Sequence, residues 1–253
     1  MYKFFVQRDS FYNDTAVIEG DDVKHIYKVL RLEAGEQVSI NDCQGKEYLG
    51  QIEDVSKTKV IVKLIEELPV NNESPVNIYL YQGLPKSSKM DLIVQKATEL
   101  GVKEITPVIT ERVVVKSELG EFKKVDRWNR IALEACKQCK RTLIPIINTP
   151  IEFEELMSNL EAMDLIVVPY ENQTGFGIKN LTAQIKHTLR NIAIIIGPEG
   201  GFEEEEIERL KASGAYIVTL GPRILRTETA GFVCTSLLMY ELGDMGGTGG
   251  GSI

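Results

Sequence analysis

The segment Ile192-Ala193-Ile194-Ile195-Ile196-Gly197-Pro198-Glu199-Gly200-Gly201-Phe202 decides the fold. Its five consecutive apolar residues predict a strand covered on both faces, as in a parallel sheet sandwiched between helices. Such a strand running straight into a glycine-rich turn exposes backbone at the carboxyl edge of the sheet, where α/β folds bind ligands. A dinucleotide or phosphate is the first ligand to consider, and the residues argue against it. The spacing is neither G-x-G-x-x-G nor G-x-x-x-x-G-K-S/T, and Pro198 removes a backbone donor. The helix that follows opens with Glu203, Glu204, Glu205 and Glu206, whose charges already complement the helix dipole and repel a pyrophosphate. A neutral or cationic ligand is therefore expected near this turn. Taken alone, a glycine-rich turn serves structure as often as binding.

A second segment repeats the pattern. A strand at 216–220 runs into Gly221-Pro222-Arg223-Ile224-Leu225-Arg226-Thr227-Glu228-Thr229-Ala230, and then into a helix with Val233, Leu237 and Leu238 on one face. Two strand ends with Gly-Pro turns point to one shared pocket. Two arginines beside hydroxyls and a carboxylate are more than a connector requires. The plainer alternative makes Thr227 a helix cap and leaves Arg223 and Arg226 as solvated charges.

Outward from these turns, residues 76–242 read as strands alternating with helices, an α/β pattern with a mostly parallel sheet. Strands are expected at 76–82, 105–109, 165–168, 192–196 and 216–220, and helices at 88–100, 124–139, 151–160, 203–212 and 229–242. Gly101 suits a left-handed cap after the first of these helices. Residues 1–70 read instead as a small β-barrel, with short strands at 2–6, 15–18, 37–40, 48–55 and 59–65. One helix, from 21 to about 30, interrupts them with Val23, Ile26, Val29 and Leu30 at helical spacing. Prolines and asparagines between Leu68 and Pro75 place a linker at 71–75. The tail 243–253, with six glycines in eleven residues, is expected to be disordered.

With 253 residues, 43% hydrophobic and 26% charged, the chain is excluded from the disordered, collagen-like and disulfide-stapled classes. No stretch reaches the roughly 18 apolar residues of a membrane span, and the amino terminus lacks signal-peptide features, so a cytoplasmic protein is expected. Cys136 and Cys139 form a C-x-x-C pair, but a second pair and a nearby histidine are both missing, since the two histidines are His25 and His187. These cysteines read as buried small hydrophobes rather than as redox or metal ligands, and no metal is implied. Lys and Arg total 29 against 37 Asp and Glu, a net charge of -8. As an average, that charge opposes an RNA partner.

The two turn motifs together resemble those of the SPOUT-class methyltransferases that methylate N3 of a uridine in 16S ribosomal RNA. The resemblance extends to Lys89-Met90-Asp91, Gln95 to Val102, Glu111 to Lys116, Arg127-Trp128, Glu134 to Gln138 and His25 to Leu32, and so spans residues 1 to about 242. It implies a trefoil-knotted α/β methyltransferase domain at 76–242, a PUA-like β-barrel at 1–70 that holds RNA, a homodimer, and S-adenosylmethionine in the knot loops. That cofactor has a sulfonium and no phosphate, in keeping with the acidic helix start. The implied cofactor contacts are backbone at Ile196, Gly197, Leu220 and Leu225, close approach at Gly200, Gly201 and Gly221, and the flanking Pro198, Ile224, Thr229 and Ala230. Tyr170 and Glu171 add a wall by family analogy.

Charge is unevenly spread. Between Lys123 and Arg141 seven basic residues face two acidic ones. Arg127, Arg130, Glu134, Lys137 and Arg141 step by three and four along one helical stripe opposite Trp128, Ile131, Ala132, Ala135 and Cys139. Lys86, Lys89 and Lys96 form a second cluster. With the resemblance, both clusters read as RNA contacts, joined by His25, Arg31 and Arg223, although a solvated helix face gives the same pattern. Net charge then predicts a narrow electrostatic footprint rather than no RNA at all. For the reaction, uracil N3 must lose its proton before it attacks the methyl carbon. Arg226 is nominated to stabilise the resulting anion, with Arg223 the alternative, and Glu228 as a possible base, with helix capping the alternative for Glu228. Two other functions share these features: a methyltransferase acting on another RNA such as transfer RNA, and a non-catalytic RNA-binding assembly factor.

Overall fold

A computed structural model describes residues 1–70, 72–86, 89–113 and 122–247 of the chain; expectations at Ser88, at 114–116 and in the tail from 248 lie outside the described residues. The chain divides into two compact units, Met1–Glu73 with Cys136–Ile144, and Ser74–Ala135 with Pro145–Ile253.

The first unit is a six-stranded half-barrel sheet of β1 (Lys3–Phe5), β2 (Phe11–Tyr12), β3 (Thr15–Glu19), β4 (Gln37–Asn41), β5 (Glu47–Val55) and β6 (Lys59–Leu68), with α1 (Asp21–Lys24) between β3 and β4. The order is β1-β4-β5-β6-β3-β2; β1 pairs parallel to β4 and the remaining pairs are antiparallel. Alternation along each strand sends Ala16, Ile18, Val38, Ile40, Val60 and Val62 into one core with Val23 and Ile26. The expected ten-residue helix is not regular. After α1 the backbone winds into a π-helix at His25–Leu30, closed by Arg31 in the left-handed region (φ 55°). The wider winding breaks 3.6-residue periodicity, so Val29, expected on the apolar face, is 66% exposed.

Glu73 closes this unit. Its carboxylate accepts from Arg141 Nε (3.0 Å) and Nη2 (2.7 Å), from the Thr142 and Leu143 amides (2.8 and 2.9 Å), and from the Thr142 hydroxyl (3.2 Å). Strand pairing adds to this, with a bridge between Gln44 and Leu143. The chain thus leaves the unit after Glu73 and returns to it at Cys136–Ile144, an excursion with no compositional signal.

The second unit holds a fully parallel sheet of β7 (Asn77–Gly83), β8 (Glu104–Ile109), β9 (Ile146–Ile147), β10 (Ile151–Glu152), β11 (Leu165–Pro169), β12 (Asn191–Ile196) and β13 (Tyr216–Val218). Its order is β10-β8-β7-β12-β11-β13, with β9 paired to β8. Between the strands lie α2 (Lys89–Glu99), α3 (Phe122–Cys139), α4 (Phe153–Asn159), α5 (Ile178–Thr182), α6 (Glu204–Ala212) and α7 (Thr227–Leu242). Central β12 shows why its sequence is continuously apolar. Ala193 and Ile195 join a core with α4 and α6 residues Leu156, Ile207 and Leu210, while α7 packs on β12, β7 and α2. Gly101 takes the left-handed conformation (φ 84°) expected after α2. Several expected boundaries move by a residue or two; the strand expected at 216–220 ends at Val218 and the helix expected from 124 begins at Phe122. Ile151 and Glu152 form an edge strand rather than the start of a helix, and α7 begins at Thr227 rather than at residue 229. Gly243 and Met245 donate their amides to Met239 O, so the described start of the tail, through Gly247, turns back on α7.

Removing the Glu73 carboxylate strips two charge-assisted bonds from a buried guanidinium. Glu73→Ala is expected to cost about 3–5 kcal/mol of unfolding free energy, measured by urea denaturation, and Glu73→Gln less.

Candidate active site

Because the strands of the second sheet run parallel, their carboxyl ends share one edge, and the turns after β11, β12 and β13 meet there. They enclose a cavity of about 380 Å³. The turn after β11 supplies Tyr170 and Glu171; the turn after β12 supplies Gly197, Pro198, Glu199, Gly201 and Phe202. The third turn supplies the run from Thr219 to Thr227, and Ala230 of α7 and Lys89 of α2 complete the wall. Of the residues nominated for the cofactor, Tyr170, Glu171, Ile196, Gly197, Pro198, Gly201, Leu220, Gly221, Ile224, Leu225 and Ala230 border this space, as do Arg223 and Arg226. Gly200 and Thr229 do not. Gly200 faces Arg112, whose Cβ would lie 3.0 Å from a Cβ built on it, and Thr229 lies within the first turn of α7.

Two glycines are required at this edge, Gly83 by close approach and Gly201 by its left-handed backbone. A Cβ on Gly83 would lie 2.4 Å from Pro198 N, so the end of β7 and the turn after β12 can touch only through a glycine. Gly201 has φ +70°, and its Cβ would lie 2.7 Å from Glu171 Oε1.

The acidic run opening α6 is spent on structure rather than on the cavity. Glu203 and Glu206 form a capping box. Glu206, nearly buried, also accepts from the Glu111 amide at 3.1 Å. Arg112 grips Glu203 in a fork at 2.6 and 2.9 Å and donates to Gly200 O at 3.0 Å, pinning the turn from outside. The carboxylates that do border the cavity are Glu171 and Glu199, so negative charge stands at the turn after all, supplied by other residues. Lys89 Nζ sits 3.1 Å from Glu199 Oε1 and 3.4 Å from Glu228 Oε2. Both are ion-pair contacts, and Glu228 Oε2 is buried with no hydrogen-bond partner. Burial pushes the Glu199 carboxyl up, but its own amide, Lys89 and the Lys86 amide outweigh that and hold it below the usual range. Its hydrogen bond with Glu199 raises Lys89 in turn.

Other basic residues fall in different settings. Lys89, read from sequence as part of a charge cluster, is a cavity residue, which its helical spacing could not signal. Lys96 pairs with Glu99 at 2.8 Å, Arg127 with Asp91, and Lys137 with Asp22 at 3.2 Å. Arg130, Lys86, His25 and Arg31 are exposed. Arg141 corrects the proposed stripe: Lys140 turns left-handed (φ 63°) and ends α3, so Arg141 leaves the helix face and is buried against Glu73. Cys136 is buried, and burial pushes its thiol up to about 12, the setting of an inert packing residue.

A family profile described as an RNA methyltransferase domain matches residues 72–239, and one described as an RNA methyltransferase PUA domain matches residues 18–65. The chain is 37% identical over 231 residues to the ribosomal RNA small subunit methyltransferase E of Bacillus subtilis (strain 168), covering 90% of both chains. It is 34% identical over 224 residues to that of Aquifex aeolicus (strain VF5), covering 88% of this chain and 93% of the other. The solved structure of a ribosomal RNA small subunit methyltransferase E from Neisseria gonorrhoeae, bound to S-adenosyl methionine, is 31% identical. It superposes with a TM-score of 0.82 and covers 96% of this chain and 99% of its own.

A carboxyl held low when folded contributes stability that is complete above its unfolded value, near pH 4–5, and is lost as pH falls through the lowered value. Urea midpoints should therefore hold steady from about pH 7 to about pH 5 and fall only below that. Glu199→Gln should make the acid end of that fall shallower without changing the slope near neutrality.

Proposed function

The chain belongs to the ribosomal RNA small subunit methyltransferase E family, and from that premise we propose that it transfers a methyl group from S-adenosylmethionine to N3 of a uridine in 16S ribosomal RNA. The observation that carries this reading is the cavity where three parallel strand ends meet, rimmed by Arg223 and Arg226 and faced by Glu171 and Glu199. Its chemistry suits this cofactor. Glycine turns offer backbone at Gly197, Leu220 and Leu225 to an adenine, the carboxylates suit a cationic ligand, and neither turn is built for phosphate. The turns around Gly197 and Leu225 are read as threaded in a trefoil knot.

When bound, S-adenosylmethionine supplies an electrophilic methyl group on a sulfonium. The protein's task is to hold the target base in line and to manage the N3 proton. Arg226, at the cavity rim and preceding α7, is placed to stabilise charge on the uracil carbonyls. Glu228 does not itself border the cavity but follows the wall residue Thr227, and its buried Oε2, 3.4 Å from Lys89 Nζ, is read as the proton acceptor. The exposed Lys86, Arg130, His25 and Arg31, with Arg127 and Arg223, are read as the contacts to RNA phosphates, in the cytoplasm where the ribosome is assembled. Leu237 and Tyr240 of α7 and Leu92 of the adjoining α2 are exposed apolar side chains, which a homodimer would cover.

Arg226→Ala should keep its affinity for S-adenosylmethionine in calorimetry but lose about 10²–10³-fold in methyl transfer; unchanged turnover sinks the assignment. Labelled methyl transfer is expected to small subunits or 16S RNA, whereas transfer to transfer RNA alone would establish the other substrate. Absence of cofactor binding would establish an assembly factor. In sedimentation the protein should run as a dimer that Tyr240→Glu divides.

A further inference from the structure

Gln82 lies near the end of β7 and is fully buried. Its Nε2 donates to Gly83 O at 3.1 Å and to Thr227 Oγ1 at 2.7 Å. Thr227 Oγ1 donates in turn to Gly197 O at 2.6 Å. The hydroxyl has one proton and gives it to Gly197, so toward Gln82 it can only accept. That fixes the carboxamide and turns Oε1 away, where it is buried with no hydrogen-bond partner, 3.4 Å from where a Cβ on Gly231 would stand.

A buried acceptor without a partner is destabilising. A side chain chosen only to fill this space would be Met or Leu, which bring no oxygen of their own to leave unsatisfied. What Gln82 adds is a donor at the point where three parts of the site converge: the end of β7, the turn after β12 and the first residue of α7. Thr227 is flanked by Arg226 and Glu228, and Gly197 belongs to the turn read as the adenine site.

We propose that Gln82 and Thr227 are positioning residues for methyl transfer: through the chain Gln82–Thr227–Gly197 they fix Arg226 and Glu228 relative to the cofactor turn. The proposal rests on the reading of the site given above. Gln82 acts wholly through Thr227, since it does not border the cavity. The two groups do no proton chemistry; they hold the start of α7 in register with the Gly197 turn, where a displacement of about 1 Å is enough to cost on the order of 10²-fold in rate.

Gln82→Met keeps the volume and removes the donor. It should lower kcat by about tenfold or more, leave the calorimetric Kd for S-adenosylmethionine within about threefold, and leave the thermal midpoint unchanged or raised. Amide hydrogen exchange across Leu225–Ala230 should speed up in the cofactor-free variant. Thr227→Val should reproduce the loss, and Thr227→Ser should recover most of what Thr227→Val loses. Full kcat in Gln82→Met, or a loss that tracks a lowered midpoint with unchanged exchange at 225–230, would overturn the proposal while leaving the methyltransferase reading intact. A wild-type protein that binds S-adenosylmethionine yet methylates no RNA would overturn both.

Discussion

Parallel strands all end on the same side, and the rest of the second unit depends on that constraint. Once β12 is buried on both faces, its turn can go only to the carboxyl edge, and the turns after β11 and β13 must open beside it. Packing three turns into so small a space leaves no room for side chains at the points of contact. Hence a glycine stands at Gly83 against the Pro198 backbone, while Gly201 lets the turn take a left-handed φ. The cavity is what remains between backbones brought close in this way, and the charged residues are fitted around it.

The main elements were legible because their burial is uniform. A strand covered on both faces is apolar at every position, and a half-barrel strand alternates, so β12 and β3 each announced their surroundings. Elements that draw support from elsewhere were not. The five-residue α5 and the edge strands β9 and β10 are too short to show a period. The start of α7 lies two residues before the expected one, and nothing local signals it, because the Thr227 hydroxyl bonds Gly197, thirty residues upstream. The π-helix at His25–Leu30 was invisible because apolar spacing presumes the very winding it departs from.

The same division holds for the site. Residues on the two glycine turns were found because strand, turn and helix follow one another in sequence. Lys89 was misplaced because a lysine on a helix face looks alike whether it meets solvent or two carboxylates. Arg141 was put on the wrong surface because one left-handed residue, Lys140, redirects the chain. Charge alone also misled over α6: the glutamates at its start are used in capping and in holding Arg112, while Glu171 and Glu199, from other turns, set the character of the cavity.

The Glu73 hub bears on how the chain is made. The first unit needs Cys136–Ile144 as well as Met1–Glu73, so a ribosome releasing the chain from its amino terminus cannot let that unit finish before Ser74–Ala135, the first part of the second, has emerged. At about 5–20 residues per second the half-barrel waits several seconds for its closing segment. During that interval Glu73 has not met the residues that will satisfy it, and the two units cannot mature in simple sequence; completion of the first is timed by synthesis of the second.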